Sequence, residues 1–403
     1  MKNTHGGNIY KVAAAHNVAP QDITDFSANI NPLGMSPKGQ AALTAHLNEI
    51  IHYPDPEYTE FRRTVSQVMD VPDENILVGN GAAELLYALM TLPGIEEVLV
   101  PAPGFSEYAL AAQAQGLSVL AYSMIPMAAD GEVESVNESH HLFGSTTPHQ
   151  PITHFAVPYE DFKKPISKRC AEEQVRTIIC LSNPNNPDGS LQTLTEVFEM
   201  AALAQASNSL LLIDESFIEF TNESHSLRPY LAEYPAIVIL HSLTKFYAIP
   251  GLRLGLLLGD TNILKSIAVH VPTWSVNHLA QQYGIEALQD EVYRQKTRAV
   301  VAREKEWLYG AINAFDFITA LPPTVNFMLL HWQPQHPSLA DFMEFLENKQ
   351  LLIRSCEAYD GLGQGWFRIA VKDRNRNELL ISYVKEFAHA HNLLSSPRPD
   401  GME

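Results

Sequence analysis

The chain has 403 residues, 46% of them hydrophobic and 18% charged, with a formal net charge of −19. Those proportions fit a soluble subunit with a sizeable core, and the deficit of Lys and Arg argues against a nucleic-acid partner, which needs a basic face. Cys170, Cys180 and Cys356 are scattered without CxxC pairing, which suits a reducing cytoplasm and gives no metal or disulfide signal. In chain order, residues 1–45 read as an extended arm, a turn at Asn31-Pro-Leu-Gly34 and a helix starting after Pro37. Residues 46–280 alternate short apolar runs with helical patterns. The candidate strands are 76–78, 97–100, 117–122, 175–181, 209–213, 236–240 and 254–258. Such alternation predicts an α/β fold, a mostly parallel sheet with helices on both faces. Residues 281–320 read as a long polar-faced linking helix, from Gln281 through Trp307. Residues 321–403 read as a smaller α+β domain with strands at 326–330, 351–353 and 366–371, and a tail from Ser395 expected to be disordered. The stretch from Tyr122 to Val175 is longer than a helix and a return require. Its residues 131–151, with His140, His141, His149 and nearby His154, read as a surface loop rather than a metal site. No apolar run follows Met1 and none is long enough to span a bilayer, so neither a signal peptide nor a membrane segment is expected.

The most informative motif follows the run at 236–240. Lys245 comes after Ser242 and Thr244, and Arg253 follows past Pro250 and Gly251. A lone lysine is more often a solvated loop residue. At the end of a buried strand and near other cations, however, its amine has a depressed pKa and can form an imine. Ser242, Thr244 and Arg253 are donors that suit a phosphate. Together they point to pyridoxal 5'-phosphate (PLP) held on Lys245. Asp214 closes the run 209–213. A strand-end aspartate either caps a helix or meets a cation, and the protonated pyridine nitrogen of PLP is such a cation. Asn186, in the turn Asn183-Pro-Asn-Asn-Pro-Asp-Gly189, is placed to hydrogen-bond the ring oxygen. Gly79-Asn-Gly81-Ala82-Ala83 opens a helical pattern and leaves backbone N–H groups free for a phosphate. It lacks the third glycine of a dinucleotide fingerprint. Phe105 is placed to stack on the pyridine face. Arg354 and Arg368 are the candidate anion anchors, with a structural ion pair as the alternative for each.

In this order the motifs resemble the aminotransferase superfamily of fold-type I PLP enzymes. Within it they resemble histidinol-phosphate aminotransferases and, more sharply, the threonine-phosphate decarboxylases of cobalamin biosynthesis. The sharper likeness rests on His5-Gly-Gly-Asn8, the block Asp25–Gly34 that contains Asn29, Tyr53-Pro-Asp-Pro56, the stretch Ser242–Arg253, Trp274-Ser-Val-Asn277 and Ile353-Arg-Ser-Cys356. The resemblance implies a seven-stranded sheet with one antiparallel strand, and a homodimer in which Tyr53 of the partner subunit completes each site. It also implies that His5, Asn8, Asn29, Asn186, Arg354 and Arg368 bind a small phosphorylated amino acid. Aminotransferases of this kind usually carry tyrosine three residues after the ring-binding aspartate. Phe217 stands there instead, as in the decarboxylase pattern. The reaction expected is loss of CO₂ from threonine phosphate or serine phosphate, giving the amino-alcohol phosphate of a cobamide linker. One methyl group, worth ~1–3 kcal/mol in a pocket, separates those substrates. Histidinol-phosphate or other amino-group transfer is the alternative. A PLP-binding regulator is a third reading, and the arm before Asp25 is too short for the helix-turn-helix it would carry.

Overall fold

The computed structural model describes residues 7–128, 152–158 and 176–394. His5, His140, His141, His149, Cys170 and the tail from Ser395 lie outside those residues. Seven strands form the central sheet: β1 Ile76–Gly79, β2 Ile95–Ala102, β3 Ser118–Ser123, β4 Arg176–Ser182, β5 Leu210–Asp214, β6 Ile237–Ser242 and β7 Gly255–Gly259. Their spatial order is β1-β7-β6-β5-β4-β2-β3, and β7 runs antiparallel to both its neighbours. Each corresponds to one of the apolar runs.

Those runs are continuous rather than alternating because both faces of the sheet are covered. Leu211, Ile213, Ile237 and Ile239 join the cluster on one face, with Phe246, Tyr247 and Tyr283. Their neighbours Leu210, Leu212, Val238 and Leu240 join the cluster on the other, with Leu85, Leu89 and Tyr108. Side chains alternate across a strand with a period of two, so one run of Leu, Ile and Val serves both.

A third cluster lies around the strands Ile318–Ala320, Phe327–Trp332, Arg354–Ser355 and Trp366–Ala370, with helices Leu339–Asn348 and Arg374–Ala390. Ile318–Ala320 escapes the sequence because three residues are too few to show a period. The apolar run at 351–353 divides in two. Leu351–Leu352 pairs in parallel with Thr24–Asp25, while Arg354–Ser355 pairs with Trp366–Ala370. Phe26, fully buried in this cluster, is held by Phe26 N–H donating to Leu352 O and Ala370 N–H donating to Phe26 O, both at 2.8 Å. The arm is therefore not extended throughout. It carries the helix Ile9–His16 and a strand paired to the C-terminal third of the chain.

A further expectation is corrected. The long helix from Gln281 through Trp307 is two helices, His278–Leu288 and Glu291–Ile312. The break falls where Asp290 caps the second helix, accepting from Tyr293 N at 3.2 Å. The same carboxylate accepts from Ser36 Oγ at 2.7 Å, and Ser36 in turn caps the helix Pro37–His46. Residues 131–151, read as a surface loop, lie outside the described residues, and the chain on either side of them forms strands. Ile125–Ala128 and Ile152–Ala156 form an antiparallel ribbon, with Met127 opposite His154.

The double role of Asp290 is testable. Asp290→Ala removes a cap and a charged hydrogen bond, together costing roughly 2 kcal/mol or more. It should lower the thermal unfolding midpoint by several degrees, and Asp290→Asn, which can still cap, should lower it less.

Candidate active site

The parallel strands β4, β5 and β6 end side by side in Ser182, Asp214 and Ser242. The carboxyl edge of a parallel sheet is where α/β proteins place ligands. Here it opens into a cavity of about 600 Å³. The chain turns directly from Ser242 into a short buried helix, Leu243–Phe246, which delivers Lys245 to the cavity wall. Burial pushes the Lys245 amine down to about 8, and the charges of Arg253 and Arg368 add to this while Asp214 opposes it.

A cradle for an anion lies beside it. Helix Gly81–Leu89 begins at the cavity, and the Asn80 side chain makes no capping bond to it. Its first amides are therefore available to an anion. Gly81 has φ +79°, and a Cβ there would lie 2.5 Å from Arg253 Nη2, so only glycine lets the guanidinium close on the helix end. Gly255 plays the matching part from the sheet, where a Cβ would strike the Gly81–Ala82 backbone. Ser242 Oγ and Thr244 Oγ1 lie 2.8 Å apart, and both line the cavity with Ala82, Ala83 and Arg253. Amides, two hydroxyls and a guanidinium are a phosphate's donor set.

Opposite the cradle, Asp214 accepts from Ser216 N at 2.9 Å through Oδ1 and from the Tyr108 hydroxyl at 2.7 Å through Oδ2. Burial, and then the charge of Asp214, hold the Tyr108 phenol well above its usual range, so it stays a donor. The sequence does not single out Tyr108. It lies 106 positions from its partner, and only its spacing three residues after Phe105 points to the same face of a turn. Phe105 lines the cavity with its ring edge-on to Tyr108, centroids 5.6 Å apart. Phe217 also lines it, edge-on to Phe327 at 4.9 Å, and the Arg368 guanidinium lies 5.2 Å above that same Phe327 ring.

Arg354 and Arg368 face each other as a cross-strand pair, and both line the cavity. Like charges directly opposite on a sheet are destabilising. Among the described residues neither has a carboxylate in salt-bridge reach. Arg368 instead donates to Asn186 Oδ1 and, at 3.2 Å, to Ser27 O, while Arg354 lies 5.9 Å over the Tyr359 ring. The structural ion pair considered for these arginines is thus absent among the described residues. Asn186 keeps its amide nitrogen free of this contact. Asn29 lines the cavity and has a buried Oδ1 without a partner. Lys372, not singled out by sequence, donates to Ala28 O at 3.2 Å behind this segment.

One expected site residue, Asn8, stands elsewhere, and Tyr53, expected to act from the partner subunit, lies on the surface. Asn8 caps the helix Ile9–His16, accepting from Lys11 N at 3.3 Å, and it is Ile9 and Tyr10 that reach the cavity. Tyr53 is 81% exposed and stacks on Trp274, with centroids 4.7 Å apart. It does not line the cavity of its own chain.

The model of class I and II aminotransferases matches residues 21–384. The chain belongs to this family. It is an aminotransferase-family, fold-type I enzyme with PLP as cofactor. It is 31% identical over 387 residues, 96% of each chain, to the threonine-phosphate decarboxylase of Salmonella typhimurium. The histidinol-phosphate aminotransferase structure from Clostridium acetobutylicum superposes with a TM-score of 0.77 at 25% identity, covering 91% of this chain and 100% of that one. The L-threonine-O-3-phosphate decarboxylase structure from Porphyromonas gingivalis gives 0.72 at 24%, with the same coverage. No helix among the described residues is long and apolar enough to cross a membrane.

The residues present fit this family's cofactor. The glycine-walled cradle can take its phosphate, Lys245 its aldehyde carbon, and Asp214 its ring nitrogen. Two outcomes follow. The rate at which cofactor-free protein takes up PLP, read from absorbance, should rise with pH through about 8 and then level, because only the neutral amine reacts. Borohydride should then fix the label on Lys245, and a rise centred near the ordinary lysine value would contradict the assignment. Tyr108→Phe should lower turnover by about tenfold with PLP still bound, because a hydrogen bond to a charged acceptor is worth ~1.5–3 kcal/mol.

Proposed function

We propose that this family member decarboxylates an O-phosphorylated amino acid, threonine phosphate or serine phosphate, releasing CO₂ and an amino-alcohol phosphate. The reading rests above all on the facing pair Arg354 and Arg368, two cavity-lining guanidiniums with no carboxylate beside them among the described residues, which call for a doubly charged anion. Phe217 supports decarboxylation over amino-group transfer, because no phenol reaches the cofactor's ring oxygen from that position. The similarity to the Salmonella decarboxylase supports it too.

Bound in the cavity, PLP supplies an electron sink for the pair left when a bond to Cα breaks. The chain's own residues decide which bond that is. Arg354 and Arg368 would grip the substrate phosphate, and this remote binding energy would orient Cα so that the bond to its carboxylate is the one that breaks. An ion pair on the departing carboxylate would hold it in the ground state, so the arginines are committed to the phosphate. Asp214, oriented by Tyr108 and the Ser216 amide, keeps the pyridine nitrogen protonated. Lys245 holds the cofactor and then returns a proton to Cα. Asn186, fixed by Arg368, donates its amide to the ring oxygen. Asn29, which lines the cavity with a buried Oδ1 left unpaired among the described residues, meets the substrate.

A homodimer completes the site. Tyr53 and Trp274 form an exposed aromatic pair beside exposed Leu47, Ile50 and Ile51, an apolar face suited to a second copy. Tyr53 of the partner subunit would then help hold the cofactor across it.

Incubation with phosphothreonine, phosphoserine, and histidinol phosphate plus 2-oxoglutarate, assayed for CO₂ and glutamate, tests the reaction. CO₂ from a phosphoamino acid without glutamate is expected. Glutamate from histidinol phosphate without CO₂ would replace the proposal by the aminotransferase reading. Arg354→Ala and Arg368→Ala should each cost roughly 10–100-fold in kcat/KM, through KM and kcat together.

A further inference from the structure

The cavity does not account for a second group of side chains some way along the chain. Helix Pro37–His46 ends in His46, and the turn Leu47–Ile51 that follows carries Glu49. Helix His278–Leu288 opens with His278. These two helices pack closely because Gly39 leaves room for the Tyr283 ring, which a Cβ would meet at 2.5 Å. The packing brings three ligating side chains together. His46 Nδ1 lies 3.0 Å from Glu49 Oε1, and His278 Nε2 lies 2.9 Å from Glu49 Oε2. One donor atom from each residue lies within 4.8 Å of the others.

We propose that His46, Glu49 and His278 bind a divalent transition-metal ion, zinc by preference. Three observations carry this. First, the spacing is right: Zn–N and Zn–O bonds of about 2.0–2.2 Å in a tetrahedron place ligand atoms roughly 3.3–3.6 Å apart, which small side-chain rotations reach from here. Second, His46 Nδ1 is shielded from solvent and has no aligned hydrogen-bond partner, although a carboxylate oxygen lies 3.0 Å away. A histidine that merely donated a proton to Glu49 would point it there. His278 Nε2 does share a hydrogen bond with Glu49 Oε2, so it is the His46 nitrogen that is left for a cation. Third, the donor set is selective. Two imidazoles and one carboxylate suit zinc, with a water in the fourth position, and disfavour calcium and magnesium, which take oxygen. His46 also ends its helix, where the peptide dipole favours positive charge.

The ion would be structural. It would tie the N-terminal segment to helix His278–Leu288 next to the exposed Leu47, Ile50 and Ile51, and it has no part in the chemistry proposed above. The site stands whether or not that chemistry is correct.

The test is calorimetric titration of the purified, PLP-loaded protein with zinc, and cobalt titration followed by visible absorption. One zinc per chain is expected, with tetrahedral cobalt bands and a rise in thermal midpoint at saturation. His46→Ala, His278→Ala and Glu49→Gln should each weaken binding at least tenfold and remove the thermal shift, while His270→Ala, an exposed histidine outside the cluster, should change neither. Glu49→Gln keeps size and shape, so it carries the test alone if a histidine variant fails to fold. A smaller loss in any folded variant overturns the proposal, because zinc would then be held elsewhere, and so does the absence of stoichiometric binding.

Discussion

A surplus of positive charge around one cavity organises this molecule. Lys245, Arg253, Arg354 and Arg368 line one cavity, with only Asp25 and Asp214 against them among the described residues, in a chain whose formal net charge is −19. Such a concentration of cations is tolerable only if anions come to it, since an uncompensated buried charge is costly. Burial first, and then the same surplus, make Lys245 reactive, since both disfavour a positive charge on its amine. The surplus also explains the arginines' neighbours. A carboxylate beside Arg368 would satisfy it permanently, whereas Asn186, a backbone carbonyl and the Phe327 ring hold its position and leave its charge unspent.

What the sequence discloses follows from how each feature is encoded. The seven central strands are legible because burial on both faces writes them as uninterrupted apolar runs, and the carboxyl ends of those runs mark Asp214, Ser242 and Lys245. Contacts made through space are not legible. Tyr108 acquires its role only when the sheet brings it to Asp214. The break at Asp290 is hidden because the helical pattern runs through it on both sides, and the reason for stopping there is a serine 254 positions away. Asn8 illustrates the opposite error. A motif residue expected in the site is taken up by a local cap, the commonest use of asparagine at a helix start.

Phe217 connects the two ends of the cavity. Its ring packs edge-on to Phe327, and Phe327 carries the Arg368 guanidinium on its face. An apolar contact thus runs from beside Asp214 to Arg368. A hydroxyl at position 217 would introduce a polar atom beside that contact as well as a donor to the cofactor. Whether a fold of this family releases CO₂ or moves an amino group can depend on such a position, because the electron sink is common to both reactions and only the orientation at Cα differs.

The parallel pairing of Thr24–Asp25 with Leu351–Leu352 bears on how the chain is made. Phe26 leaves the ribosome well before Leu352 and Ala370, whose backbone groups hold it. At roughly 5–20 residues per second, this phenylalanine waits on the order of tens of seconds for its pocket. During that interval the large sheet can close on its own apolar runs while the N-terminal segment stays unplaced. The arm that helps form the cavity wall is thus made before the segments that hold it and docks after the large sheet, so a nascent chain gains its ligand site only once Leu352 and Ala370 have emerged.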